Sequence, residues 1–441
     1  MKLRRGVKFH SKPPVDGREL TAQDVKWSYE RMLNSTFTYR DILAPVERIE
    51  TPDPYTLEFH LSEANVDFLV SLANHYNWVL AKEAGDYSGD TDFAKTWGDF
   101  RDWKTVVGTG PFMLETFEPN VRHVWKRNPN YFADGLPYLD EVIQHNITDP
   151  AARLANLRAG KLDYISPQAT DMPSLRQSNP ELQYSRGIPC GGPIFYFRND
   201  KPPFDNVDVR RALSLAFDRE GFLKSFFLGE GTLINGPGVM ACHEGLQLPI
   251  DQLGPASQWF RYDPSQAKAL MTKAGYGDGF AVEFLGTGGY GPIWVSEMEL
   301  IKANMEEIGV TLNIRLVEYA EWLTTGHAGL YKDTAFGPMT PYLSVDEWSY
   351  GMLNSGSAAN KCHCNDPRLD ALTQQQREAF DPTQRKAILE ELQRYVHDQM
   401  VYIMTPLGYT NYAAQPWMRD FSPKSGYHWG SVFAKTWVDK P

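Results

Sequence analysis

The stretch from Phe280 to Val317 constrains the fold most. Phe280–Leu285 is a β-compatible apolar run, 292–308 carries helical spacing closed by Gly309, and Val310–Val317 returns to strand character. A strand, a helix and a strand in this length predict a βαβ unit, whose two strands run parallel with a right-handed crossover. Parallel pairing is covered by helices on its faces, so the chain is expected to be α/β. No fixed-period repeat or low-complexity segment argues for a solenoid.

At 441 residues the chain has room for two or three domains. Its 42% hydrophobic and 22% charged residues are ordinary for a folded globular protein. A net charge of −11 argues against a nucleic-acid or anionic-membrane surface, since both need a positive field at the contact. No apolar run of about 18 residues predicts a membrane span. The aromatic content of 13% suggests a cleft lined with stacking rings in addition to packed cores.

Local signals fill in the remainder. Leu3, Val7 and Phe9 share one face of an expected strand, an Asp16-Gly17 turn follows, and Thr21 with Asp24 predicts a capped helix. Its buried stripe is Val25, Ser28, Tyr29, Met32 and Leu33. Residues 46–61 read as a hairpin turning at Thr51-Pro52-Asp53-Pro54, and 66–73 as a short helix leading to Asn74-His75-Tyr76-Asn77-Trp78. Residues 87–102 read as a surface loop or boundary. Asp149-Pro150, Asp263-Pro264 and Asp381-Pro382 each predict a helix start. Gly108-Thr109-Gly110 lacks the Gly-Lys-Ser/Thr ending of a phosphate loop and reads as a turn into a strand.

Three blocks carry a resemblance. They are Lys2–His10 with Thr21–Arg31; Val107–Phe112 with Arg127–Phe132 and Leu136–Glu141; and Asp205–Asp218, whose Val209, Ala212, Leu213, Ala216 and Phe217 share a helical face. Together they resemble the family 5 extracellular solute-binding proteins, receptors of ATP-driven (ABC) importers. The resemblance implies a two-lobed α/β fold of the periplasmic-binding-protein type, large three-domain variety, with the ligand in a cleft between lobes. It implies residues 1–100 as an extra domain of the first lobe, 101–205 with 405–441 as the first lobe, and 206–404 as the second. Since the opening block begins at residue 2, the chain resembles a member lacking its first strands, with Met1 as an internal start. Lys2–Arg5 offers no apolar signal region, so an extracytoplasmic location, periplasmic or anchored at the cell surface, follows from the resemblance alone. So do the expected partners: a small-molecule or peptide ligand and the permease subunits of an importer, with the receptor a monomer and no cofactor.

Among chemical readings, Cys190, Cys242, Cys362 and Cys364 allow up to two disulfides in an exported protein. Cys362-His363-Cys364 has too few further ligands for a metal site. No Gly-x-Ser-x-Gly, His-Glu-x-x-His or complete phosphate loop is present. A thiol hydrolase built on Cys190 with His243 or His363, or a metal-dependent one, is the alternative from another class; an oligosaccharide receptor is the alternative within binding. Candidate ligand contacts are Tyr76, Asn77 and Trp78; Cys190 and Tyr196; Thr287 and Tyr290; Tyr319 and Trp322; and Phe336, Met339, Thr340 and Trp348. Peptide-binding relatives place an Asp in the loop matching Gly337–Thr340, where it pairs with the peptide ammonium. Here Pro338 stands near that position, and Asp333 or Asp346 would have to substitute.

Overall fold

The computed structural model describes residues 1–35, 38–85, 102–234, 236–339, 343–423 and 429–440. Nearly all of the loop expected at 87–102, together with Thr340, lies outside them. By contacts the chain divides into two units, one of residues 1–62, 72–187 and 411–441, the other of 63–71 and 188–410.

The second unit is built on a mixed five-stranded sheet. Phe280–Thr287 pairs in parallel with Val310–Val317 over eight residues, as the βαβ pattern requires. It also pairs in parallel with Thr334–Pro338, which pairs antiparallel with Pro193–Phe197; Ile403–Met404 completes the sheet. The strand Pro193–Phe197, which the resemblance assigned with 101–205, thus belongs to this sheet. Its near-continuous apolar sequence fits a strand covered on both sides. Phe195, Phe197, Phe284 and Phe336 face a core shared with the helices Val207–Ala216 and Pro292–Glu306. Tyr196 faces the opposite way, against Tyr331 and Tyr402.

Proline starts and aspartate caps act as the sequence predicts. Asp149 accepts from the Ala151 and Ala152 N–H groups, Asp263 from Gln266, and Asp381 from Gln384, satisfying donors that a helix leaves open.

The first unit holds the hairpin Val46–Asp53 and Thr56–Leu61 and an antiparallel sheet of Phe112–Glu118, Arg122–Arg127 and Glu141–His145. The hairpin turns at Pro54-Tyr55, later than expected, because the Asp53 carboxylate accepts from the Tyr55 N–H at 2.8 Å and the Thr56 hydroxyl at 2.6 Å. The opening strand is a correction. Only isolated bridges, Lys2 to Thr56 and Lys8 to Glu19, form there. Gly6 turns the chain at φ +76°, in the left-handed region, so Leu3 and Val7 stay half-buried while Phe9 is fully buried. The following helix, Ala22–Leu33, buries Val25, Ser28, Tyr29 and Met32, with Leu33 half-buried.

His10 explains why the first two sequence blocks go together. Its Nδ1 accepts from the Gly108 N–H at 3.2 Å, and its Nε2 lies 3.1 Å from the Gly110 carbonyl, which also accepts from Asn128 at 2.8 Å. Burial lowers the His10 pKa, so the ring is neutral and keyed to one tautomer. These blocks are joints of the fold.

Candidate functional site

Strand direction gathers the site. The strands Phe280–Thr287, Val310–Val317 and Thr334–Pro338 are mutually parallel in sense, so Thr287, Val317 and Pro338 end at one edge of the sheet. Pro193–Phe197 runs the other way, so its beginning meets that same edge. The Met339 N–H donates to the Gly192 carbonyl and the Thr405 N–H to that of Pro193, each at 3.3 Å. Cys190, Thr287, Tyr290, Tyr319 and Met339, far apart in sequence, therefore come together. In open α/β sheets ligands bind beyond the carboxyl ends of parallel strands.

The edge is aromatic. Thr287 uses its hydroxyl to accept from the Gly289 N–H at 3.1 Å, which folds the chain into the short turn Gly288–Tyr290. The Tyr290 ring sits edge-on to Tyr319 at 5.3 Å and tilted against Trp294 at 5.0 Å, while its hydroxyl accepts from Trp322 Nε1 at 3.2 Å. Tyr319 is 45% exposed and Tyr290 half-buried, with Gly288 and Gly289 open beside them. This combination of apolar faces and a few fixed polar groups suits recognition of a small solute. Trp294 was missed in the sequence reading. Its position four residues beyond Tyr290 and one turn into a helix was the available signal.

Thr287 at 3% and Met339 at 1% exposure lie beneath this edge, and other predicted contacts are likewise packed away from solvent. Trp322 is fully buried and lies over Gly337 and Gly326; a Cβ on either glycine would come within 2.1 Å or less of its ring. Phe336 belongs to the core, packed on Phe284 and Trp294. Trp348 is fully buried in the helix Val345–Leu353. Tyr196 is buried with its hydroxyl 3.9 Å from Met339 Sδ, which joins it to the edge from beneath. In the first unit, Tyr76 is half-buried with its ring 4.1 Å from His75, Asn77 is buried, and Trp78 is 65% exposed.

The cysteines named in the sequence alternatives differ in their bonding. Cys190 is joined to Cys242 with Cα atoms 5.2 Å apart, so it carries no thiol for nucleophilic attack. Cys362 and Cys364 are free and buried, and His363 turns away to place Nε2 2.7 Å from the Gly329 carbonyl. The substitute acids are also committed elsewhere. Asp346 is 2% exposed and accepts from Arg377, Gln376 and Asn65. Asp333 precedes its strand, at the end opposite Met339, and accepts from the Glu283 N–H at 3.0 Å.

The α/β sheet whose strand ends converge on an aromatic edge has the periplasmic-binding-protein type of fold. The chain belongs to the bacterial extracellular solute-binding proteins, family 5, whose model matches residues 1–361. It is 29% identical over 461 aligned positions to Di/tripeptide-binding protein 2 of Pseudomonas aeruginosa, covering 98% of this chain and 81% of that protein. Its fold matches the periplasmic binding protein DppA from Helicobacter pylori, solved with the peptide STSA, at a TM-score of 0.84 and 21% identity, over 100% of this chain and 86% of that one. It matches AgaA from A.tumefacien R10, solved with agropinic acid, at 0.83 and 24% identity, over 100% and 89%. Among the described residues no helix is long and apolar enough to cross a membrane.

Proposed function

We propose that this protein captures an oligopeptide-like, extended solute outside the cytoplasm and delivers it, unchanged, to the permease of an ABC importer. The observation that carries the reading is the convergence of Thr287, Tyr290, Tyr319 and Met339 at one sheet edge in a chain of this family. The peptide-binding relative and the peptide-bound DppA support the ligand class. Tyr76, Asn77, Trp78 and Thr340 are proposed as further ligand contacts. The proposed lobes are 1–100 and 101–205 with 405–441 for the first, and 206–404 for the second. The proposed receptor acts as a monomer, without a cofactor.

Neither Asp333 nor Asp346 offers a free carboxylate at this edge. Recognition by aromatic faces and main-chain groups therefore predicts weak discrimination between a free and a blocked peptide amine. Calorimetry with one co-purified peptide in free and N-acetylated forms tests this. Affinities within about threefold, and a loss of about 1–3 kcal/mol on Tyr319→Ala, are expected. Binding of oligosaccharides with no response to any peptide would replace the ligand class. Turnover of peptide or ester substrates would overturn the binding reading itself.

A further inference from the structure

The hairpin Val46–Asp53 and Thr56–Leu61 carries a set of side chains that the proposed solute site does not use. In its antiparallel register Arg48 stands opposite His60 and Glu50 opposite Glu58, while Ile49 and Phe59 between them point to the other face. Glu50, Glu58 and His60 therefore share one face of the hairpin. Each offers a ligand atom, a carboxylate oxygen or a ring nitrogen, and these atoms all lie within 4.8 Å of one another.

Two carboxylates directly opposite each other destabilise a strand pair unless a cation joins them. Arg48 answers only part of this, since its Nε–H donates to Glu50 Oε1 at 2.9 Å. The other oxygen, Glu50 Oε2, faces His60 and lies 3.5 Å from its Nε2. That ring nitrogen makes no hydrogen bond. A nitrogen and an oxygen thus face each other across a gap without a hydrogen bond between them. Zinc binds imidazole nitrogen and carboxylate oxygen at about 2.0–2.2 Å, and a tetrahedral angle sets such ligands about 3.4 Å apart, close to the gap observed.

We propose that Glu50, Glu58 and His60 form a site for a divalent transition-metal ion of the zinc class, with water completing the coordination. The imidazole selects against magnesium and calcium, which take oxygen ligands. The Glu50 and His60 side chains are 51% and 34% exposed, so an ion reaches them from solvent without opening the fold. Glu58 and His60 are two positions apart on one strand and Glu50 is on its neighbour, so side-chain rotation closes the set on a backbone already held by the hairpin. The hairpin lies within the first unit, and its test is independent of which solute the protein carries.

The intact protein, stripped of metal with a chelator, is titrated with zinc chloride by calorimetry, and cobalt(II) absorption is recorded in parallel. Zinc should bind at this site and resist displacement by an equal concentration of magnesium. His60→Gln and Glu58→Gln should each weaken zinc binding by about tenfold or more. His145→Gln, which alters an exposed histidine of another sheet, should leave it unchanged. Cobalt should give the visible bands of a nitrogen-ligated site, and His60→Gln should lose them. Zinc affinity unchanged in either His60→Gln or Glu58→Gln, or no zinc uptake at about 1 mM, would overturn the metal site and leave a protonated imidazole as the group that joins the two acids.

Discussion

Asp67 and Arg385, separated by 318 positions, meet in a two-pronged ion pair of 2.7 and 2.6 Å. The pair sits beside a second one, Asp346 with Arg377, and the Asp346 N–H donates to Asp67. Through it the short segment 63–71 joins the second unit. Removing one partner of a buried pair strands the other charge, so Arg385→Ala should cost about 3–5 kcal/mol in denaturant unfolding. Burial alone would raise the Asp67 pKa, but Arg385 and the Asp346 N–H outweigh it and leave it below the ordinary carboxylate value. A depressed folded pKa gives stability that is present above about pH 4 and lost as pH falls through the folded value. Asp67→Asn should flatten that acid limb.

Glu297 works in the opposite direction. It is 3% exposed in the helix Pro292–Glu306, one carboxylate oxygen is buried without a partner, and burial pushes its pKa up to about 8. The native state therefore holds a proton that the unfolded chain releases above about pH 4, and stability falls as pH rises from there toward 8. Glu297→Gln should raise the Tm at pH 8 by a few degrees and leave it nearly unchanged at pH 4, as read by calorimetry across that range.

Trp322 and Tyr319 share one short helix, Tyr319–Thr324, but should separate experimentally. Trp322→Ala empties a fully buried site and should cost about 3–5 kcal/mol of stability. Tyr319→Ala, at a 45% exposed ring, should leave stability within about 0.5 kcal/mol while weakening ligand binding. Gly337→Ala should destabilise as Trp322 does, because its Cβ would lie 2.1 Å from the indole.

Thiol counting on denatured, unreduced protein should find two free thiols, those of Cys362 and Cys364. The Cys190–Cys242 bond spans 52 positions, and its removal by a double Ser substitution should cost about 2–4 kcal/mol. Four titratable thiols would contradict the bond.

Much of the fold was legible because its signals are local. Each Asp-Pro pair announced a helix start by capping and proline geometry, and Phe280–Val317 announced parallel strands by changing its hydrophobic period. The opening strand misled because Leu3, Val7 and Phe9 kept the alternation while Gly6 turned the backbone beneath it. The site was half legible. Loop aromatics after strands were found at Tyr290 and Tyr319, yet which tryptophan is exposed depends on a partner glycine in another strand. Trp322 looked like a stacking surface for that reason. The ion pair of Asp67 with Arg385 joins residues 318 positions apart, and no local pattern encodes it.

The reversed strand Pro193–Phe197 has one last consequence. Because it brings its beginning to the edge where its neighbours bring their ends, the rim is assembled from segments around 190, 288, 318 and 339, each carried on a different strand end. Each can change length or chemistry while the strands beneath keep their pairing. A new cargo can thus be acquired by altering one connection at a time, and the scaffold's stability and its taste in solutes can drift at different rates.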